Sequence, residues 1–160
     1  MSIRVGNGYD AHRLDEGTPL VIGGVSIPFK KGSLGHSDGD VLLHSIVDAI
    51  FGALALGDIG LHFPSKDDKW KGANSQIFLK YAFEKIKEKG FLVQNIDSTI
   101  ILQEPIISPY ILSMRTNVGE ILSMNINDIS IKATTTDRLG YIGRSEGIAA
   151  QSILLLSNAN

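Results

Sequence analysis

The run Asp40-Val41-Leu42-Leu43-His44-Ser45-Ile46-Val47-Asp48-Ala49-Ile50-Phe51-Gly52-Ala53-Leu54-Ala55-Leu56 places apolar side chains around nearly the whole circumference of a helix. A surface helix has one apolar stripe; a helix apolar on all sides is enclosed by other elements. Ser37-Asp38-Gly39-Asp40 offers N-capping groups in front of it, and Gly57 is a fitting stop behind it. The rest of the chain supplies the covering layers. Ile3, Val5 and Tyr9 read as a first strand that opens into a loop holding Asp10 and His12. Leu20 to Ile27, with β-branched runs around Gly23-Gly24, reads as a hairpin. A polar loop over 60–72 precedes an amphipathic helix that Asn74 or Ser75 caps. Its Leu79, Ala82, Phe83 and Ile86 share a face, and it ends at Gly90. Asn95 to Leu102 reads as a strand, Pro109 to Met124 as a helix, and Ile129, Ile131 and Ala133 as a strand delivering Thr134 to Asp137 to its end. Gly147 to Leu156 is β-rich enough to be a strand, though periodicity alone also allows a buried helix. The expected fold is α+β: one domain over 1–160, with a mixed β-sheet and helices packed on one face.

Composition narrows the chemistry. The 160 residues carry 15 Lys+Arg against 17 Asp+Glu, so no basic footprint for nucleic acid exists. There is no cysteine, which removes disulfides, thiolate nucleophiles and Cys-based metal sites and leaves any metal to His, Asp and Glu. Neither a targeting segment nor a run of roughly 20 apolar residues is present, so the expectation is a bacterial cytoplasmic protein without a membrane partner.

The candidate ligands follow from spacing. Asp10 and His12, two apart, share a face where the chain is extended. His44 is either a satisfied core histidine or a ligand; Asp40 and Asp48, four residues to either side, lie where a carboxylate can fix its tautomer. Three N/O ligands with one open position is the form of a catalytic zinc site. His36-Ser37-Asp38-Gly39-Asp40 is either a capping segment or an anion site at a helix start. Thr134-Thr135-Thr136-Asp137-Arg138 through Arg144 is either a strand-end turn or a grip for a diphosphate with a divalent ion.

In order along the chain stand Gly6-Asn7-Gly8-Tyr9-Asp10-Ala11-His12-Arg13, His36-Ser37-Asp38-Gly39-Asp40 with His44, Gly57-Asp58-Ile59-Gly60, Lys132-Ala133-Thr134-Thr135-Thr136 and Gly143-Arg144-Ser145-Glu146-Gly147. Together they resemble the 2-C-methyl-D-erythritol 2,4-cyclodiphosphate synthase family across nearly the whole chain. The resemblance implies a homotrimer around a central cavity, with active sites between subunits. It implies a lyase of non-mevalonate isoprenoid biosynthesis that turns 4-diphosphocytidyl-2-C-methyl-D-erythritol 2-phosphate into the cyclic diphosphate and CMP. By resemblance, Asp10, His12 and His44 bind zinc or another divalent transition metal. Asp137, where the family usually has Glu, binds Mg²⁺ or Mn²⁺ with the substrate diphosphate. His36 and Ser37 meet the phosphates, and His36 and Thr135 stabilise the transition state. Asp58 and Gly60, with Ile59, Phe63 and Asp67, hold the sugar end. The segment Leu102 to Ser108, including Ile106 and Ile107, forms a cytidine pocket with Ala133, Thr134 and Thr135, offered by the neighbouring subunit. Thr136, Tyr141 and Arg144 complete the substrate contacts, and Arg144 and Glu146 face a cavity where an isoprenoid diphosphate can sit. Ile106 stands where many members have Lys, and Ser65 where Asp is common. Two other readings compete: a non-catalytic trimeric diphosphate-binding protein and a metal-dependent phosphohydrolase.

Overall fold

The computed structural model describes residues 1–158. Five strands form one mixed sheet in the order β4-β1-β7-β5-β6. The strands are β1 (Ile3–Glu16), β4 (Lys31–Leu34), β5 (Leu92–Ile101), β6 (Ile129–Thr134) and β7 (Gly147–Ser157). Every neighbouring pair is antiparallel except β5 and β6, which run parallel. The Gly23-Gly24 signal makes the separate hairpin of β2 (Leu20–Ile22) and β3 (Val25–Ile27). The central helix α1 (Val41–Ala53) lies on β1 and β7, with α3 (Gln76–Glu88) against it and α4 (Ile111–Leu122) against α3 and β6. The apolar circumference of α1 thus meets the sheet on one side and helices on the other; eleven of its thirteen residues are buried.

Glycine sets how closely α1 sits on β1. A Cβ at Gly6 would fall 1.8 Å from the Ala49 carbonyl oxygen, and one at Gly8 1.9 Å from that of Ser45. No other residue permits that approach. Because side chains alternate across a strand, Gly6, Gly8, Asp10, His12 and Leu14 all face the helix. The other face of the sheet is uncovered in the single chain, and Ile3, Val5, Tyr9 and Ile153 stand exposed on it.

Three expectations need correction, and one choice is settled. Asp10 and His12 are not in a loop: β1 continues through both, because Asp10 pairs with Ala150 and His12 with Ile148 of β7. Backbone pairing along a long partner outweighs the glycines that suggested a break. The segment 147–156 is the strand its β-rich composition suggested rather than a buried helix, since both its edges are paired, by β1 and by β5. The polar loop over 60–72 contains α2 (Ile59–His62) and a 3₁₀ turn at Asp68–Trp70, capped by the Asp58 and Asp67 carboxylates. Residues 109–124 open with a 3₁₀ turn before α4 and close at Ser123 in the left-handed region. No helix among the described residues is long and apolar enough to cross a membrane.

Candidate active site

The extended β1 projects Asp10 and His12 toward α1, and the first turn of α1 brings His44 to meet them. Asp10 Oδ2 lies 2.8 Å from His12 Nε2 and 3.0 Å from His44 Nδ1, and the two ring nitrogens are 3.2 Å apart. Ligand atoms bound about 2.0–2.1 Å from one tetrahedral ion lie roughly 3.3 Å from one another. The observed triangle is within half an ångström of that, so these side chains fit a zinc-type ion with a fourth position left to the cleft. This is the one cluster of three metal-type ligands among the described residues. Burial pushes the Asp10 carboxyl up, but hydrogen bonds from His12 and His44 outweigh it and hold the group well below the usual carboxylate range. A pre-ionised carboxylate and two imidazoles in contact need no rearrangement to accept a cation.

The partners of His44 differ from those its helix suggested. Asp40 does not touch the ring: it caps α1 at Leu43 N and also accepts from Gly23 N and Gly24 N, which ties the β2–β3 hairpin to the helix. Asp48 accepts from Ile59 N. Shared helical face is not shared direction, and His44 Nε2 points away from both, to Ser75 Oγ at 2.8 Å and Ser37 Oγ at 3.2 Å. Ser75 in turn donates its hydroxyl and its backbone N–H to Asp38. Residue spacing alone could not reveal this arrangement, because Ser75 and His44 are joined only by the packing of α3 on α1.

The metal-type triplet opens into a cleft of about 230 Å³, lined further by His36, Ser37, Ile59, Gly60, Phe63 and Ser65, with Trp70 and Phe78 at its apolar wall. His36 Nε2 lies 2.9 Å from the Asp67 carbonyl oxygen, which holds the ring at the rim. One Asp58 oxygen accepts from Leu61 N and one Asp67 oxygen from Lys69 N, so both carboxylates also order the local turns. Phe63 packs on Phe78 with ring centroids 4.4 Å apart, and Phe78 lies 5.9 Å from His44.

A second cleft of about 200 Å³ opens where the parallel strands β5 and β6 end. Leu102, Gln103, Pro105, Ile106, Ile107 and Ser108 line one side and Ala133, Thr134 and Thr135 the other. Ile106 is 82% exposed, an apolar side chain with nothing over it in the single chain. The following turn is locked: Asp137 and Arg138 take left-handed backbones, Arg138 N donates to Gln103 Oε1, and the Thr136 hydroxyl donates to the Leu139 carbonyl. Gln103, not singled out individually by its sequence, is the residue that pins this turn.

The chain does not bring its two clefts together. Asp10 faces Ala150, Ala150 faces Ile100 and Ile100 faces Ala133, which puts three strand spacings, about 14 Å, between the metal-type cluster and the β6 wall. Asp137 belongs to the second region and is outside the Asp10 cluster. Tyr141 and Arg144 are apart from both clefts. The Tyr141 hydroxyl meets that of Tyr9 at 3.1 Å, and Arg144 forms a two-pronged ion pair with Glu146 at 2.9 and 3.0 Å.

A model of the YgbB family matches residues 3–157. A 2-C-methyl-D-erythritol 2,4-cyclodiphosphate synthase of Clostridium kluyveri is 57% identical over 98% of this chain and 95% of its own length. One of Paraburkholderia phymatum is 53% identical over 98% of each. Among solved structures, the IspF of Plasmodium falciparum in complex with CDP superposes with a TM-score of 0.88 at 40% identity, over 99% of this chain and 98% of that one. The bifunctional IspDF of Campylobacter jejuni gives a TM-score of 0.95 at 44% identity; this chain is covered over 99% and spans 43% of that longer one.

Proposed function

Because the chain belongs to the YgbB family and, like relatives more than half identical to it, is a cyclodiphosphate-forming enzyme of isoprenoid biosynthesis, we propose how its residues divide the work. The substrate is 4-diphosphocytidyl-2-C-methyl-D-erythritol 2-phosphate. Its 2-phosphate attacks the β-phosphorus, a P–O bond forms to close the ring, and the bond from the β-phosphorus to the bridging oxygen breaks, so CMP departs with that electron pair. A phosphate monoester has a second pKa of about 6 and is largely dianionic at neutral pH, so the nucleophile requires no general base. The obstacle is repulsion between anions, and the site answers it with donors and positioning rather than with an acid/base pair.

Asp10, His12 and His44 hold a divalent transition ion, zinc by the character of the donor set, which when bound supplies Lewis-acid polarisation of a phosphoryl oxygen. His36 and Ser37 donate to the phosphate oxygens at the cleft rim, and Ile59, Gly60 and Phe63 with Asp58 and Asp67 seat the methylerythritol end. Thr135 donates to the oxygens that gain charge as CMP leaves, and Asp137 would hold a Mg²⁺ or Mn²⁺ that would supply charge neutralisation for the diphosphate. The second cleft takes the cytidine. Its distance from the metal-type cluster within one chain supports an active site completed by a neighbouring subunit, and the uncovered apolar sheet face supports a homotrimer closed around that face. Arg144 and Glu146 then border the central cavity, where an isoprenoid diphosphate is the fitting occupant. We place the enzyme in the cytoplasm.

The observation that carries this reading is the Asp10–His12–His44 triangle at the floor of the cleft. Its test is product analysis of the cytidyl diphosphate substrate with metal-depleted and zinc-reconstituted protein. CMP and the cyclic diphosphate should appear only after reconstitution. Linear phosphate products would instead favour a phosphohydrolase, and tight binding without turnover a silent binding protein. His44→Ala should lose metal and CMP release together, each by more than about 100-fold, beyond what a supporting residue alone costs.

A further inference from the structure

We propose that Ser75, backed by Asp38, is a positioning residue that fixes the orientation and tautomer of His44 for metal binding; the proposal rests on the metal-site reading above. Ser75 stands at the N-cap position of α3, yet its side chain makes no capping bond to that helix. Asn74 caps instead, accepting from Gln76 N at 2.9 Å. The Ser75 hydroxyl, fully buried, is engaged elsewhere: it lies 2.8 Å from His44 Nε2 and donates to Asp38 Oδ1. Asp38 is held in turn by the backbone, accepting from Ser75 N at 2.9 Å and Asp40 N at 3.2 Å.

The donor and acceptor inventory allows one direction through this chain. An ionised Asp38 only accepts, so the Ser75 proton goes to it. The Ser75 oxygen is then left as an acceptor for His44, which places the ring proton on Nε2. With its Nε2 proton directed to Ser75, the ring keeps Nδ1 as the nitrogen it can offer a metal, and Nδ1 is the atom 3.0 Å from Asp10 Oδ2 and 3.2 Å from His12 Nε2. A ligating imidazole whose other nitrogen donates to a carboxylate is held in orientation and made more basic. Here a serine hydroxyl is interposed between ring and carboxylate. Ser37 Oγ, 3.2 Å from Nε2, accepts as a second, longer partner, but it is itself only partly buried at the cleft rim.

The experiment measures zinc affinity by chelator competition on the full chain without substrate, together with the visible spectrum of the Co²⁺ form. Ser75→Ala should bind zinc 10–100-fold more weakly, and its Co²⁺ bands should shift as His44 loses its fixed orientation. Asn74→Ala removes the actual cap of α3 and should lower the melting temperature while leaving zinc affinity within twofold of wild type. If Ser75→Ala does not fold, Asp38→Asn, which keeps the shape and removes the terminal charge, should weaken zinc binding instead. Ser75→Ala binding zinc within twofold of wild type would overturn the proposal, as would an equal loss in Asn74→Ala, since that would trace the effect to the stability of α3. If the variants show this pattern of affinities while zinc-loaded wild-type protein releases no CMP, the proposed division of catalytic work fails and the positioning role stands.

Discussion

Replacing Gly8 by alanine tests whether the close approach of β1 and α1 builds the metal site. The added Cβ would lie 1.9 Å from the Ser45 carbonyl oxygen and 2.7 Å from Ala49 N, where real Cβ atoms essentially never come within 3.0 Å. Both neighbours are helix backbone, so no side chain can swing aside, and strand and helix must part by about 1 Å or more. Overpacking a core costs about 1–3 kcal/mol where side chains can adjust; here the upper end, about 3 kcal/mol, is expected. Ligand distances at a metal site tolerate only about 0.2 Å. Because Ser45 adjoins His44, the same displacement carries the His44 ring away from Asp10 and His12, and zinc affinity should fall by about 100-fold. The control is Gly52→Ala on the same helix, whose Cβ would meet only the Asn7 carbonyl oxygen at 3.8 Å. That variant should gain about 0.5–1 kcal/mol from helix propensity with zinc binding unchanged. Urea unfolding and chelator competition read both quantities. If Gly8→Ala unfolds at the wild-type midpoint and binds zinc as tightly as wild type, the close approach does not position the ligands.

Mixing two inactive variants, His44→Ala and Thr135→Ala, by denaturation and refolding at equal concentration should restore CMP release at roughly one site in four, because a site made of two subunits then finds both intact halves by chance; no recovery would mean that each chain supplies a whole site. Val5→Glu introduces charge on the uncovered sheet face and should shift the mass measured by light scattering from three chains toward one, with activity lost in parallel. Asp40→Ala leaves Gly23 N, Gly24 N and Leu43 N without their acceptor and should cost roughly 2–4 kcal/mol by urea unfolding. Burial pushes the Asp40 carboxyl up to about 6 from 3.8, against its backbone donors and with the Asp38 charge adding to the rise. The folded chain therefore holds this proton more tightly than the unfolded one, so wild-type stability relative to Asp40→Asn should decline as pH rises from about 4 to 6 and level off above; a difference that grows over that range would contradict the assignment.

Local pattern and composition by themselves determined a good deal. The apolar circumference of 40–56 specified an enclosed helix, Gly23-Gly24 a hairpin and Gly90 a helix end, because these depend on periodicity and backbone freedom within a few residues. The missing cysteines left any metal to His, Asp and Glu by elimination, and the ordered motifs pointed to the family. Long-range pairing was beyond local pattern. That β1 runs unbroken through Asp10 and His12 follows from register with β7, a partner far away in sequence, and pairing with β1 and β5 is what excludes a helix at 147–157. The neighbours of His44 show the same limit. Helical spacing nominated Asp40 and Asp48, yet the ring turns toward Ser75, thirty-one residues on, because α3 packs there. The family resemblance implied that the metal ligands and the second cleft serve different subunits' sites; the tertiary structure supplied the distance between them, the width of two intervening strands. That separation is a property of strand order, which no stretch of sequence contains, and it keeps the two clefts of one chain about 14 Å apart.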